Sequence, residues 1–397
     1  MAINSNLFHG FICILVAIVL LGCVECNRKL SASLFVFGDS ILDPGNNNYI
    51  NTTSDFQSNW WPYGESFFKY PTGRPSNGLL ISDFIAEYAN LPLIPSYFQI
   101  DKEGFIDGVN FASSLSGSLV ETNRGHVINL KTQLKYFKKV KKLLNNKVGD
   151  KQSKKLISNA VYMFSTGTVD YGEAFRSSPD LIHFPYPKQQ FVEMVLSNFT
   201  SVLKEIYKKG GRKFAIFTLI PLGCFPGARA FTFQQNKSGE CINELNELLK
   251  MHTLALPKTM KKLQDELAGF KYTLFDLYEV IDQRINHPLK FGFEVSKKAC
   301  CGTGPFRGIN SCGGKRQVKE YQLCKNPKDY VFFDASHPSQ STYQQSAKLL
   351  WHGDPHVTKP HGLKSFFEFS DSKCSSPNFL EFLSQSMDAF HIWVAIT

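Results

Sequence analysis

Short apolar runs alternate with longer segments of helical periodicity along most of the chain. The apolar runs predict strands at 34–37, 109–112, 161–165, 214–220, 272–277 and 330–333. The helical patterns between them cover 77–89, 130–144, 188–208, 240–267 and 341–349. Because the predicted strands are apolar throughout rather than at alternate positions, they are typical of strands covered on both faces. The alternation therefore predicts a doubly wound α/β fold, with a parallel sheet flanked by helices.

The N-terminal segment has a different pattern, a nearly unbroken apolar run at 11–24. The run is about 14 residues long, too short to cross a bilayer, and Val24 and Cys26 stand at positions that a signal peptidase reads. This pattern predicts a signal peptide over 1–26 and a secreted, extracellular protein. No other run is long enough for a transmembrane helix. Without a repeat or a linker, the rest predicts one domain over 27–365, followed by a C-terminal tail, 366–397, whose structure the sequence leaves open.

The charge of the chain adds little to the prediction of function. The formal net charge is +10 over 397 residues, and the clearest basic run lies at 135–155. A nucleic-acid binder concentrates such charge on one recognisable motif or face. The run lies on a predicted helix and loop, so we interpret it as a solvated basic surface with no nucleic-acid partner. Attraction to an anionic cell wall or membrane is a weaker alternative. The sequence does not set the oligomeric state.

The cysteines that follow the predicted signal peptide are candidates for disulfides in an oxidising compartment. Their odd number implies one free thiol or a different cleavage point, and the sequence does not give the pairing. A zinc site is the competing interpretation, but neither a Cys-x-x-Cys pair nor a histidine ligand accompanies them. The seven cysteines are Cys224, Cys241, Cys300, Cys301, Cys312, Cys324 and Cys374.

Three Asn-x-Ser/Thr sequons begin at Asn51, Asn198 and Asn236. Such sequons are N-glycosylation acceptors in a secreted protein. We therefore expect glycans at these asparagines, in agreement with the predicted signal peptide.

Candidate chemistry begins where the first predicted strand ends, at Gly38-Asp39-Ser40. A serine hydroxyl is a weak nucleophile until a base takes its proton, and histidine suits that role near neutral pH. The histidine needs a carboxylate to hold its tautomer and its charged form. Asp334 and His337 follow the last predicted strand at such a spacing. Together with Ser40 they predict a catalytic triad at the carboxyl edge of the sheet.

Several ordered motifs between about 34 and 364 resemble those of the GDSL (SGNH-type) esterase/lipases, most closely the plant secreted branch. The resemblance implies the flavodoxin-like sheet of the SGNH hydrolases and activity on carboxylic esters, lipids included, without a metal or an organic cofactor. The motifs are Gly38-Asp39-Ser40 with its Asn-rich tail, Tyr70-Pro71-Thr72-Gly73-Arg74, Gly108-Val109-Asn110-Phe111-Ala112-Ser113, Pro221-Leu222-Gly223-Cys224, Ala299-Cys300-Cys301-Gly302 and Asp334-x-x-His337-Pro338.

The resemblance also implies individual roles. Ser40 is similar to the family's nucleophile, His337 to its general base and acid, and Asp334 to the residue that orients the histidine. The oxyanion hole of the family combines the backbone N–H of the serine, matched by Ser40, a glycine matched by Gly117, and an asparagine side chain. Val169 stands in the place of that asparagine and has no donor. Loss of one oxyanion donor typically costs about 10²–10³ in rate.

The sequence thus leads to one main hypothesis and two alternatives. The main hypothesis is a secreted serine hydrolase that cleaves carboxylic esters through an acyl-Ser40 intermediate, with an oxyanion hole weakened at Val169. The first alternative is an acyltransferase on the same fold, in which an alcohol replaces water. The second is a catalytically impaired secreted protein that uses the pocket for binding or signalling.

Overall fold

The computed structural model describes residues 32–100, 104–177 and 186–368. Parallel pairing joins the first five strands of its main sheet, which has the order β2-β1-β3-β4-β5-β8. The last strand, β8, pairs with β5 in the antiparallel direction, and β6 and β7 form a separate two-stranded ladder. The strands are β1 (Leu34–Gly38), β2 (Gly108–Asn110), β3 (Val161–Ser165), β4 (Lys213–Phe217), β5 (Lys271–Phe275), β6 (Cys301–Gly302), β7 (Gln322–Leu323) and β8 (Thr358–Lys359).

Helices cover both faces of this sheet. Residues of α1, α8 and α9 are buried in one core cluster, and residues of α2, α5 and α7 are buried in another. The helices in the described ranges are α1 (Ile81–Tyr88), α2 (Leu130–Val148), α3 (Asp150–Asn159), α4 (Thr168–Ser177), α5 (Lys188–Lys208), α6 (Pro226–Asn236), α7 (Asn243–Glu266), α8 (Leu277–Asn286), α9 (Gln340–His352) and α10 (Lys364–Phe367).

Strand β1 explains why the apolar runs are continuous. Leu34 and Val36 lie in the first core cluster, whereas Phe35 and Phe37 lie in the second. Successive side chains of a strand point to opposite faces, so a strand between two helical layers buries every residue. Phe37 also stacks on Phe164 of β3, with ring centroids 4.8 Å apart. The prediction of a doubly wound, flavodoxin-like α/β fold is confirmed.

The predicted strand at 330–333 is wrong. Tyr330 and Phe332 make only isolated bridges, to Val295 and Pro338, and the sixth strand of the sheet is the antiparallel β8 instead. Residues 331–333 are nevertheless fully buried. Burial in the core, rather than pairing in the sheet, therefore accounts for the apolar pattern of this segment.

Three disulfides lie in the described part of the chain, at Cys224–Cys241, Cys300–Cys324 and Cys301–Cys312. Cys300, Cys301 and Cys312 belong to a third core cluster, together with Trp60, Tyr63 and Phe333. This cluster joins a loop after β1 to the segment that precedes Asp334. The predicted disulfide chemistry is confirmed for six cysteines, while Cys374 lies outside the described residues.

The predicted domain limits remain predictions. The signal peptide proposed for 1–26 lies outside the described residues, as does the tail from 369 onward. Phe366 and Phe367 of α10 are buried in the first core cluster. Within the described ranges, no helix has both the length and the apolar character that crossing a membrane requires.

Candidate active site

Ser40 lies just beyond β1, at the carboxyl edge of the sheet. The chain can turn there because Gly38 has a φ of +133°, and a Cβ on it would lie 1.9 Å from the carbonyl oxygen of Ser165 in β3. The N–H of Asp39 donates to the same oxygen at 2.9 Å. Strand order reverses at β1, which has β2 on one side and β3 on the other, and such switch points are where open α/β sheets bind ligands. Ser40 is buried at this point, with 7% of its surface exposed.

Asp334 and His337 form the second half of the site. His337 Nδ1 lies 2.8 Å from Asp334 Oδ1 and 3.0 Å from Oδ2. The loop between them closes on itself, because the N–H of Phe333 donates to the carbonyl of His337 and the N–H of Ser336 donates to Asp334 Oδ1. A hydrogen bond at Nδ1 fixes the tautomer in which Nε2 is free to accept a proton.

The Asp334 carboxylate has a further partner that the sequence analysis missed. The buried hydroxyl of Tyr63 donates to Asp334 Oδ2 at 2.6 Å, and Arg316 Nη1 donates to the Tyr63 oxygen at 2.9 Å. Burial alone would raise the pKa of Asp334, but His337, Arg316 and Tyr63 stabilise its charged form and lower the pKa to about 2. Asp334 is therefore ionised wherever His337 can act as a base.

Arg316 is held in place by the disulfide-rich part of the fold. Its guanidinium donates to the carbonyls of Cys312 and Gln57, at 3.3 and 3.0 Å, and lies 5.0 Å from the ring of Trp60. Trp60 Nε1 donates to the same Cys312 carbonyl at 3.0 Å. Tyr63 and Arg316 are 253 positions apart in the chain. No motif or spacing in the sequence signals that they meet.

The buried hydroxyl of Tyr343 in α9 responds to charges in both halves of the site. Burial raises the pKa of the Tyr343 hydroxyl, and the charges of Asp334 and Asp39 raise it further, so both carboxylates lie within electrostatic range. Among the described residues, neither Ser40 Oγ nor His337 Nε2 makes a hydrogen bond. Catalytic hydrogen bonds often form only when substrate binds. The Asp334–His337 pair of the predicted triad is therefore hydrogen bonded, and the participation of Ser40 remains a prediction.

Two backbone donors lie at the site without acceptors. In the described part of the chain, the N–H groups of Ser40 and Gly117 make no hydrogen bond, although both residues are buried. Most backbone N–H groups of buried residues have an acceptor, so these two donors are available to a ligand oxygen. These are the two backbone groups that the sequence predicted for the oxyanion hole.

Asp170 shapes the loop that carries Gly117. Its carboxylate accepts hydrogen bonds from the N–H of Ser118 at 2.7 Å, from the N–H of Leu119 at 3.1 Å and from the hydroxyl of Thr122. A Cβ at Gly117 would lie 2.1 Å from Asp170 Oδ1, so only glycine fits there. Sequence analysis identified the glycine but not the carboxylate that requires it.

Val169 is the second residue of α4 and is partly exposed, between the buried Thr168 and Asp170. Its side chain has no polar atom. The Thr168 hydroxyl makes no hydrogen bond with another described residue. At this position the structure therefore offers an apolar side chain in place of an amide donor.

Two buried carboxyl groups flank Ser40 and Gly117. Burial raises the pKa of Asp39 to about 7, against hydrogen bonds from Ile41 and Ser165 that lower it. Burial likewise raises the pKa of Asp170 to about 6. Asp39 Oδ2 is buried without a partner among the described residues. These groups make the stability of the site sensitive to pH near neutrality.

The predicted glycosylation sites differ in accessibility. Asn51 and Asn236 are exposed. Asn198 lies within α5, is partly buried, and donates from Nδ2 to the Met194 carbonyl at 3.0 Å. Glycosylation at all three remains a prediction. In the described part of the chain, no group of three or more His, Cys, Asp or Glu side chains is placed to hold a metal ion.

Comparison with known proteins agrees with this geometry. The model of the GDSL-like Lipase/Acylhydrolase family matches residues 34–350. GDSL esterase/lipase 5 of Arabidopsis thaliana is 49% identical over 85% of this chain and 87% of that protein. GDSL esterase/lipase 2 of the same plant is 46% identical over 89% and 96%. A GDSL lipase of Tanacetum cinerariifolium is 43% identical over 92% and 96%. The predicted resemblance, and with it an esterase/lipase acting on ester bonds, is confirmed: the chain belongs to the GDSL-like lipase/acylhydrolase family.

Proposed function

We propose that this protein is a secreted serine hydrolase that cleaves carboxylic esters, lipids among them, through an acyl-Ser40 intermediate. The observation that carries the proposal is the combination of a hydrogen-bonded Asp334–His337 pair with two unpaired N–H groups, which belong to the buried residues Ser40 and Gly117. The first supplies a base, and the second supplies a place for the charge that develops on the substrate carbonyl oxygen.

In this mechanism His337 Nε2 takes the proton of Ser40 Oγ as that oxygen attacks the ester carbonyl carbon. The carbonyl electron pair moves to oxygen, where the N–H groups of Ser40 and Gly117 stabilise it. Collapse of this intermediate breaks the bond to the alcohol, which leaves with the proton from His337. Water then attacks the acyl-Ser40 ester by the same steps and releases the acid.

Secretion is supported by the disulfides, since three of them in one chain are typical of an oxidising compartment. The predicted signal peptide at 1–26 gives the route. Val169 supports the second candidate function, a pocket that binds or signals with little hydrolysis, because only backbone donors remain for the oxyanion. We therefore expect a slow hydrolase.

The test compares four full-length proteins in a p-nitrophenyl ester assay: wild type, Ser40→Ala, Val169→Asn and Val169→Leu. We expect low wild-type activity, none above background for Ser40→Ala, and a gain for Val169→Asn of up to about 10²–10³. Val169→Leu is the matched control, because leucine is close to asparagine in size and shape but has no donor.

Equal rates for wild type and Ser40→Ala would overturn the catalytic proposal. An equal gain in the leucine variant would overturn the role assigned to the missing donor. Fluorophosphonate labelling tests separately whether Ser40 is activated as a nucleophile. An activated Ser40 gives labelling of the wild type that is lost in Ser40→Ala. Labelling without turnover would favour the binding or signalling alternative.

A further inference from the structure

The positive charge of this protein is concentrated in one short segment. Residues 131–155 contain ten lysines, no arginine, and one carboxylate, Asp150, so the segment carries a formal charge of +9. The whole chain carries +10, which leaves the other residues nearly neutral in sum. The lysines are Lys131, Lys135, Lys138, Lys139, Lys141, Lys142, Lys147, Lys151, Lys154 and Lys155.

The fold places these lysines on one outer surface, formed by α2 and α3. The apolar residues of the two helices, such as Leu134, Phe137 and Ile157, are buried against the sheet. Eight of the ten lysines are exposed, while Lys138 and Lys141 are partly buried. The 19 residues of α2 alone extend about 28 Å at 1.5 Å per residue. We call this surface, residues 131–155, the lysine face.

Few groups of the protein neutralise the lysine face. Lys138 pairs with Glu205 at 2.9 Å, and Lys154 pairs with Asp150 at 2.6 Å. Five exposed lysines of the face have no ion pair with a carboxylate of the described residues. They are Lys131, Lys135, Lys142, Lys151 and Lys155. A continuous field of one sign attracts a partner of the opposite sign.

The residue types on the face favour an extended polymer of carboxylates. Arginine provides the fork that phosphate groups and base edges select, and the face has none. Tyr136 does not offer an open stacking surface, since it packs on Tyr97 with ring centroids 4.2 Å apart. A membrane-surface helix inserts several apolar side chains, whereas Leu143 is the exposed large apolar residue of α2. Lysines act as hydrated point charges and need no fixed ligand geometry.

We propose that the lysine face binds a linear, carboxylate-bearing polysaccharide. Such binding retains the enzyme on an anionic matrix through the outer side of helices whose apolar residues pack on the sheet. The encounter with such a matrix rests on the proposed secretion. The binding itself requires neither secretion nor catalysis.

The experiment measures binding of the full chain to polygalacturonate at low salt, with neutral dextran as a reference polymer. One variant changes five lysines of the face to glutamine: Lys131→Gln, Lys135→Gln, Lys142→Gln, Lys151→Gln and Lys155→Gln. The matched control removes the same charge from five exposed lysines elsewhere: Lys209→Gln, Lys258→Gln, Lys297→Gln, Lys319→Gln and Lys328→Gln. The thermal midpoint of each variant checks that it is folded.

We expect wild-type affinity for polygalacturonate to fall steeply as salt is added. The face variant should lose at least about tenfold in affinity, and the control variant less than about threefold. Equal losses in the two variants would overturn the proposal, as would wild-type binding that salt does not weaken. Binding to vesicles with anionic headgroups, or to duplex DNA, in the absence of binding to polygalacturonate would assign the face to another partner.

Discussion

Replacing Tyr63 by phenylalanine removes the hydroxyl oxygen through which two hydrogen bonds join Arg316 to Asp334. That oxygen donates to Asp334 Oδ2 at 2.6 Å and accepts from Arg316 Nη1 at 2.9 Å. The ring remains, fully buried and with its centroid 5.5 Å from that of Phe333. The substitution therefore keeps the packing and removes the polar link between the guanidinium and the carboxylate.

The expected cost follows from the groups that lose a partner. A hydrogen bond to a charged group contributes about 1.5–3 kcal/mol, and the Tyr63 oxygen makes two. Arg316 keeps its bonds to Cys312 and Gln57, and Asp334 keeps those to His337 and Ser336. We therefore expect a loss of about 2–3 kcal/mol in the free energy of unfolding at neutral pH.

The cost should depend on pH, because Tyr63 stabilises the ionised form of Asp334. The pKa of Asp334 is lowered from 3.8 to about 2. A carboxyl group whose pKa is lower in the folded state stabilises the fold when the pH is above its unfolded-state pKa. This contribution disappears as the pH falls through the folded-state pKa. Without the Tyr63 hydroxyl, the folded-state pKa of Asp334 rises. The difference in unfolding free energy between wild type and variant therefore narrows at low pH, by up to about 1.4 kcal/mol for each unit of that rise.

Urea unfolding from about pH 7 down to about pH 2.5 measures both effects. The matched control is Tyr162→Phe, since Tyr162 is also fully buried but its hydroxyl donates to the uncharged Ile157 carbonyl at 2.8 Å. Its cost should be about 1 kcal/mol and constant with pH. A Tyr63→Phe cost that equals the control, or that does not narrow in acid, would refute the assigned role of Tyr63.

Two further predictions concern the edge of the sheet. Gly117→Ala places a methyl group 2.1 Å from Asp170 Oδ1, so we expect a loss of about 1–3 kcal/mol in unfolding free energy and at least a tenfold loss of kcat/KM in ester hydrolysis; unchanged kinetics would contradict it. Burial of Asp39 favours its protonated form and raises its pKa from 3.8 to about 7. Its contribution to the free energy of unfolding is therefore fully present below the unfolded-state pKa of 3.8 and is lost as the pH rises through about 7. Asp39→Asn should therefore gain stability relative to wild type as pH rises across this range, by about 4 kcal/mol in urea unfolding, and a difference that is constant with pH would count against it.

The sequence was most informative where one local pattern decides the structure. The buried strand before Ser40 was predictable, because continuous apolar character and a glycine turn are local properties. The same pattern failed at 330–333, since burial beside disulfides imitates burial in a sheet. Helix α4, which carries Val169, was missed because its ten residues are too mixed in polarity to give a clear helical period.

The support of the site could not be read from the sequence. Tyr63 and Asp334 are 271 positions apart, and Asp170 lies 52 positions from the N–H of Ser118 that it holds. Contacts over such separations are set by how the elements pack, and no single sequence gives that packing. Motif matches therefore supplied the reacting groups but not the residues that hold them.

The Arg316–Tyr63–Asp334 chain also has a consequence for the order of folding. These hydrogen bonds join the loop after β1, which carries Tyr63, to two segments more than 250 positions later in the sequence. Closing so large a loop is slow compared with forming local helices. The Asp334 carboxylate, which orients the general base, thus gains these partners only after the segments that carry Arg316 and Asp334 have been synthesised and have docked against Tyr63. A nascent or truncated chain would hold the Ser40 hydroxyl without the means to activate it, so completion of the active site coincides with completion of the fold.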